Sequence, residues 1–516
     1  MKILFLSVEV APYISVGGLS QVMYFLPRAL KKRGHDVRIF TPLYGSSQGL
    51  ENEKLKYDIE QLHVPINGDD NAFLICNVKY LPGCGKNASV YFLENKEYYE
   101  LRANVFGYAD DHTRFALLSK ACLEWLLIER KKGDKAWWPD IIHCHDWHTS
   151  YFIDLAKNKE RYSKILGKTP ILLTVHNFKY QGNWDFKFTP KDQQDDGTSK
   201  LAALTSPELQ KQNALKRGLL FADAITTVSP THAVEVLTPE YAEGLEDTLH
   251  QVRGKLSGIL NGIDNEEFDP EKDPLIKQHF SKRYFTRARE INKADLQRIF
   301  ALLIVPDKPL LAFVGRLTAQ KGLDLLIEVL PHLLEEHNNL QFIALGSGED
   351  RFKNALTQIK EKFPEQVSLH LVSDFQLPRK IFAGADIMLI PSAFEPGGIV
   401  ALEAQRYGAV PLVRRTGGLV DIINDFNPIT KQGNGFSFKQ KTPWAFYDTI
   451  IQAITIYKQK KIWHELVKNC LSQDFSWDHA AKEYEDWYHR NIKKRSQTSL
   501  IYSILKRVIK KNGFRG

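Results

Sequence analysis

Cysteine and methionine are scarce in this chain, with five of the first and three of the second among 516 residues. Cys76, Cys84, Cys122, Cys144 and Cys470 are odd in number, form no C-x-x-C pair and show no repeated spacing. This argues against a disulfide framework or a zinc ribbon and points to a reducing compartment. No run of about 18 consecutive apolar residues occurs, so no membrane span is expected. The apolar start, MKILFLSVEVAPY, is short, is interrupted by Glu9 and lacks a convincing cleavage site, so it reads as a first strand and not as a signal peptide. A cytoplasmic protein is the expectation. A dominant charge is lacking too. Lys and Arg number 69 against 61 Asp and Glu, but residues 491–516 hold eight basic and no acidic residues, which leaves 61 against 61 over residues 1–490. The body is neutral and the tail basic, so no nucleic acid partner is expected.

What is present is length and apolar content. The length prior allows two to four domains, and 43% apolar residues support sizeable cores. Residues 3–8 form an apolar strand, Gly17-Gly18 a turn, and Leu19, Val22, Met23, Leu26 and Leu30 a helical stripe before a second strand, DVRIFTP, which makes one βαβ unit. Residues 50–99 are β-rich. Asp110 and Asp111 precede a helix over residues 115–130 and read as its N-cap. In WWPDIIHCHDWHTS a buried strand runs into His145 and Asp146; the histidines there read as structural or ligand-contacting, not as a metal site. PILLTVHNFKYQGN is another apolar strand that stops at His176 and Asn177, with Tyr180 beyond, and residues 185–212 read as a long loop or lid. FADAITTVSP and SGILNGID close the first half, the latter placing Asn261 and Asp264 after a strand. The charged stretch 265–300 reads as a linker, after which strands and helices alternate again through residue 490.

The chemistry concentrates in residues 391–421, PSAFEPGGIVALEAQRYGAVPLVRRTGGLVD, where Glu395 and Glu403 stand eight apart and Thr416-Gly417-Gly418 forms a turn. Both polar clusters follow strands, at the carboxyl ends where open α/β sheets bind ligands. Arg316 and Lys321 follow another strand. Two cations with two glycine turns, Gly17-Gly18 and Gly417-Gly418, suit a diphosphate, whose departing negative charge they can offset without a metal. Glu395 suits sugar hydroxyls, and Glu403 suits a ribose diol or is an exposed helix carboxylate.

These pieces, EVAPYISVGGL, HCHDWHT, VHNFKYQG, ADAITTVSP, GILNGID, GRLTAQKGLD, PSAFEPGG and RYGAVPLVRRTGGL, resemble in order the bacterial glycogen synthases and plant starch synthases. The resemblance runs from Met1 to about Tyr488. It implies two doubly wound Rossmann-like α/β domains facing each other across a deep cleft (GT-B), residues 1–264 and 265–490, the last helix packing back on the first, followed by the basic tail 491–516. It implies a retaining glucosyltransferase that moves glucose from ADP-glucose, or UDP-glucose, to the non-reducing 4-hydroxyl of an α-1,4-glucan, with no cofactor and no metal. By the same resemblance Arg316 and Lys321 hold the donor phosphates, Glu395 stands beside the donor glucose, His176 contacts the donor sugar, and Asp146 helps arrange donor and acceptor. Ser15, Gly17, Gly18, Asn261, Thr416, Gly417, Gly418 and Leu419 line the donor, and Tyr180 the acceptor.

Three positions depart from the family, all on the donor side. Ser15 stands where a lysine is usual, Ser373 where bacterial members often carry a tyrosine near the base, and Glu403 completes an E-x7-E pattern found in the wider clan of retaining transferases. They keep open a different sugar donor or acceptor, and the absent lysine keeps open a glucan-binding protein with reduced turnover. In the tail, Leu500, Ile501, Ile504, Leu505 and Val508 fit one helix face with Lys506, Arg507, Lys510 and Lys511 mostly elsewhere, which reads either as a weak contact with an anionic membrane or a partner protein, or as a solvated terminal helix.

Overall fold

Short runs of apolar residues, each bounded by a glycine turn or a polar residue, are long enough for strands buried on both faces and too short for core helices. The computed structural model describes residues 1–50, 55–66, 72–183, 185–374 and 376–512, with side chains described as far as Arg495 and at Gln497. Two compact units are present, and each contains one sheet.

The first unit comprises Met1–Val228, Ala233–Ile259 and Ala480–Gly516. Its strands are β1 (Lys2–Leu6), β2 (Asp36–Pro42), β3 (Lys56–Pro65), β4 (Phe73–Leu81), β5 (Ser89–Glu94), β6 (Ile141–His145), β7 (Ile171–Val175), β8 (Ala224–Thr227) and β9 (Leu256–Gly258). They are ordered β3-β4-β5-β2-β1-β6-β7-β8-β9, antiparallel where β4 meets β3 and β5 and parallel elsewhere. From β1 the chain goes outward to β2 on one side and later to β6 on the other. The strand order therefore reverses between β1 and β6, and ligands of such sheets bind at the carboxyl ends of that pair.

The second unit comprises Ser229–His232 and Leu260–His479. Its strands, β10 (Leu310–Val314), β11 (Gln341–Leu345), β12 (Val367–His370), β13 (Ile387–Ile390), β14 (Val410–Arg414) and β15 (Phe436–Phe438), run parallel in the order β12-β11-β10-β13-β14-β15. The reversal here lies between β10 and β13. Both units are thus mixed α/β with Rossmann-like parallel sheets.

The units divide at Ile259 and Leu260, not at residue 264. The reason is local pairing: the Ile263 amide bonds Phe475 O at 2.7 Å, and Trp477 N returns to Ile263 O at 3.2 Å. Asn261 and Asp264 therefore belong to the second unit. The last helix and the basic tail, expected as separate segments, form one helix, Trp477–Asn512, which from Ala480 onward belongs to the first unit. There Tyr484, Trp487 and Tyr488 are buried, Glu485 accepts from Arg33 Nε at 2.8 Å, and Tyr488 bonds His143. The tail side chains singled out above lie outside the described residues.

Two smaller expectations change. Asp111 is not a cap: it sits in the first turn of the helix Asp111–Lys131, buried, and accepts from Arg114 at 2.6 Å. Residues 185–212 are not a free lid. The buried Arg217 grips Asp195 at 2.8 Å, Asp154 at 3.0 Å and Ser199 O at 2.7 Å, so the loop is tied to the helix Ser150–Asn158. All five cysteines are free. Among the described residues no helix is long and apolar enough to cross a membrane.

Candidate active site

In the second unit three loops converge on Glu395. β10 leads through Arg316 into a turn, Ala319–Lys321, and the helix Leu323–Glu336; β13 leads through residues 391–398 into the helix Ile399–Arg406; β14 leads through Thr416 and Gly417 into the short helix Gly418–Ile422. The first two flank the reversal. Across it Lys321 Nζ donates to Glu395 Oε2 at 2.5 Å, and Ser392 Oγ donates to the same oxygen at 3.1 Å. Both partners of the ion pair are mostly buried, with side-chain exposures of 20% and 13%.

Backbone contact fixes this arrangement. Gly322 has φ +77°, and a Cβ there would lie 2.0 Å from Pro391 O; Gly417 has φ +48°, and a Cβ would lie 2.3 Å from Glu395 O. Only glycine permits such approaches. Ala393 N bonds Gln320 O at 2.8 Å, and the buried Arg414 donates through Nε to Ser392 O at 2.8 Å and through Nη2 to Ala393 O. Arg414 is thus a brace under the Glu395 loop, a use that its sequence position beside Arg415 did not disclose.

The remaining candidates of this unit are placed as follows. Arg316 is exposed, its guanidinium bonded to Gln320 at 3.1 Å. Ser373 is exposed and shares a 2.9 Å hydrogen bond with Ser347. Glu403 is not an exposed helix carboxylate: it is half-buried near Arg379 and Glu267, and burial pushes its pKa up to about 7 against the opposing pull of Arg379. Asn261 is buried. The turn at 416–419 differs from the expected row of open amides. Gly418 N bonds Glu395 O at 3.0 Å, Leu419 N bonds Thr416 O at 3.1 Å, and the Thr416 and Leu419 side chains are fully buried. Leu419 packs with Ile390, Leu402, Val413 and Ile422, so its side chain is core.

In the first unit the reversal between β1 and β6 gathers Glu9, Asp146 and His176. Glu9, met in the sequence only as an interruption of an apolar run, is 4% exposed, and its Oε2 accepts from Val16 N at 2.9 Å and Gly17 N at 2.8 Å. The Gly17 amide expected to meet phosphate is therefore occupied by a carboxylate of the chain itself. An acid three residues past the end of β1 was the available signal. Burial raises its pKa, against those two amides, and Asp146 raises it further. Ser15 bonds Ser20 at 2.9 Å and offers no charge.

Asp146 follows β6 with φ +58°, a conformation rare for a side chain with a Cβ. Its Oδ1 accepts His176 N at 2.7 Å. Burial pushes its pKa up to about 7, although the amides of His176 and Asn177 pull it down. His176 is half-buried and burial holds its pKa near 4, so the ring is neutral at pH 7. Its Nε2 meets His145 Nδ1 at 3.0 Å. Tyr180 is exposed, four residues beyond.

A family model described as the starch synthase catalytic domain matches residues 2–251, and one described as glycosyl transferases group 1 matches residues 297–469. A glycogen synthase of Desulforamulus reducens is 37% identical over 491 residues, covering 95% of this chain and 98% of its own length. One of Geotalea daltonii is 38% identical over 511 residues, covering 96% and 100%. Among solved structures, the catalytic domain of starch synthase IV from Arabidopsis thaliana, bound to ADP and acarbose, superposes with a TM-score of 0.79 at 31% identity over 95% of this chain and 99% of its own.

Proposed function

Because this chain belongs to the glycogen and starch synthase family and is a glycosyltransferase of that type, we infer that it moves glucose from ADP-glucose to the non-reducing 4-hydroxyl of an α-1,4-glucan with retention of configuration. The observation that carries the donor assignment is the Lys321–Glu395 pair at the strand-order reversal of the second unit. Glu395 Oε2 is held by Lys321 and Ser392, so Oε1 is turned to accept from a sugar hydroxyl. Lys321 keeps two N–H bonds for phosphate oxygens, and the exposed Arg316 supplies a second cation; together they offset the charge of the leaving nucleoside diphosphate, and no metal enters this reading. The neutral His176 and the carboxylate of Asp146 serve as sugar contacts. The arabidopsis relative, solved with ADP and acarbose, supports an adenine nucleotide and a glucan-like acceptor. A cytoplasmic location fits the five free thiols.

A second reading, another nucleotide sugar, draws on Ser15 and Ser373, both of which spend their hydroxyls on neighbouring serines. One assay separates the readings. Purified protein is given ADP-glucose, UDP-glucose or a mannosyl or galactosyl donor with glycogen, and nucleoside diphosphate release and chain extension are followed. ADP-glucose should be the best donor; preference for another sugar selects the second reading, and no transfer from any donor overturns both.

A further inference from the structure

His145 lies between Phe5, stacked at 5.6 Å, and His143, whose ring centroid is 4.3 Å away. His143 already spends Nε2 on Thr174 at 2.6 Å and Nδ1 on Tyr488 at 2.8 Å. His145 is 0% exposed, and its Nε2 has no hydrogen-bond partner among the described residues. Its Nδ1 meets His176 Nε2 at 3.0 Å. One proton must lie between those two nitrogens, and there are two ways to place it. If His145 carried its proton on Nε2, that N–H would be a buried donor with no acceptor, a rare and costly arrangement. If it carries the proton on Nδ1, the buried Nε2 is only an unused acceptor, and Nδ1–H donates to His176 Nε2. His176 must then hold its own proton on Nδ1.

We propose that His145 is a positioning residue that sets the tautomer of His176, so that His176 presents Nδ1–H as a neutral donor to the sugar. The neighbouring Asp146 holds the His176 backbone through its amide, so residue 146 fixes the main chain of His176 and residue 145 its ring. Burial keeps both imidazoles neutral, which leaves the tautomer as the one variable of the pair. The tautomer follows from the hydrogen-bond geometry of two neutral rings; its consequence for turnover rests on the function inferred above.

The full chain labelled with ring 15N histidine tests this directly, the His176 signals being those lost in His176→Asn. A protonated Nδ1 and bare Nε2 on His176 are expected, and the reverse overturns the proposal. Kinetics give a second arm. In His145→Asn the side-chain amide N–H stands where Nδ1–H stood, so the His176 tautomer and kcat should stay within several-fold of the native chain. His145→Phe keeps the ring and loses the donor. Its kcat for glucosyl transfer should fall by about 100-fold with donor KM little changed, the scale of a misplaced contact. Equal losses in the two variants make the role structural and sink the proposal. If His145→Phe does not fold, the asparagine variant and the native ring signals still decide. The ring signals also decide in protein that transfers no glucose, which separates failure of this inference from failure of the functional reading.

Discussion

Glu395 is a mostly buried carboxylate whose charge is balanced by one ammonium and which accepts from one hydroxyl. Lys321→Met would strand that carboxylate, and breaking a buried pair from one side costs more than the pair itself contributes. We expect Lys321→Met to lower kcat/KM for the donor by about 100-fold or more, as loss of one charge-stabilising group does, with a fall in Tm. Asp146 poses the opposite case, because burial works against its charge. Its folded pKa, about 7, lies above the ordinary 3.8, so between those values the folded chain binds more protons than the unfolded one. Stability contributed at this position is therefore full below pH 4 and is lost as pH rises to 7. Asp146→Asn should gain stability relative to the native chain across that window, on the order of 4 kcal/mol by pH 8, measured as urea midpoints at pH 4 and pH 8. Transfer by the native chain should show an acid limb near pH 7, and the same variant should lose activity and, in what remains, that limb. A variant that is no more stable at pH 8 would refute the burial argument.

The elements explain why these residues meet. In each sheet the polar side chains gather where the strand order reverses, and in the second unit the loops after β10, β13 and β14 touch backbone to backbone. Gly417→Ala tests that contact: the new Cβ would face Glu395 O at 2.3 Å with φ +48°. We expect a loss of ~2 kcal/mol or more in stability and of most activity, since the carbonyl displaced belongs to Glu395 itself. Much of this was readable beforehand. Apolar runs such as ADIMLIP and PLLAFVG, closed by polar residues, announce strands and their carboxyl ends, so Glu395, Lys321, Asp146 and His176 could be placed on loops without coordinates. The occupancy of the amides could not. Gly17 and Gly418 look like open N–H groups in a sequence, and only the folded chain brings Glu9 and the Glu395 carbonyl onto them. The sequence likewise hides that the Leu419 side chain belongs to the core, which leaves its backbone as the part that can face a ligand.

At the scale of the whole molecule, the first unit is completed by residues from Ala480 onward. They bury Tyr484, Trp487 and Tyr488, bond Tyr488 to His143 at 2.8 Å and pair Glu485 with Arg33 at 2.6 Å. A chain stopped after residue 479 should lose these and fail to give a cooperative transition for the first unit, whereas one stopped after residue 497 should keep its Tm within a few degrees, read by calorimetry. Equal behaviour of the two would show the helix to be dispensable. The same feature sets an order of events during synthesis. Nearly all of the second unit is one continuous stretch, Leu260–His479, and can close while translation is still under way. The first unit, though begun earlier, must wait with an apolar face uncovered until the codons for Tyr484 to Tyr488 have been read. The nascent chain is therefore all but complete before its first unit can close, and the uncovered face of that unit is where chaperones should be found.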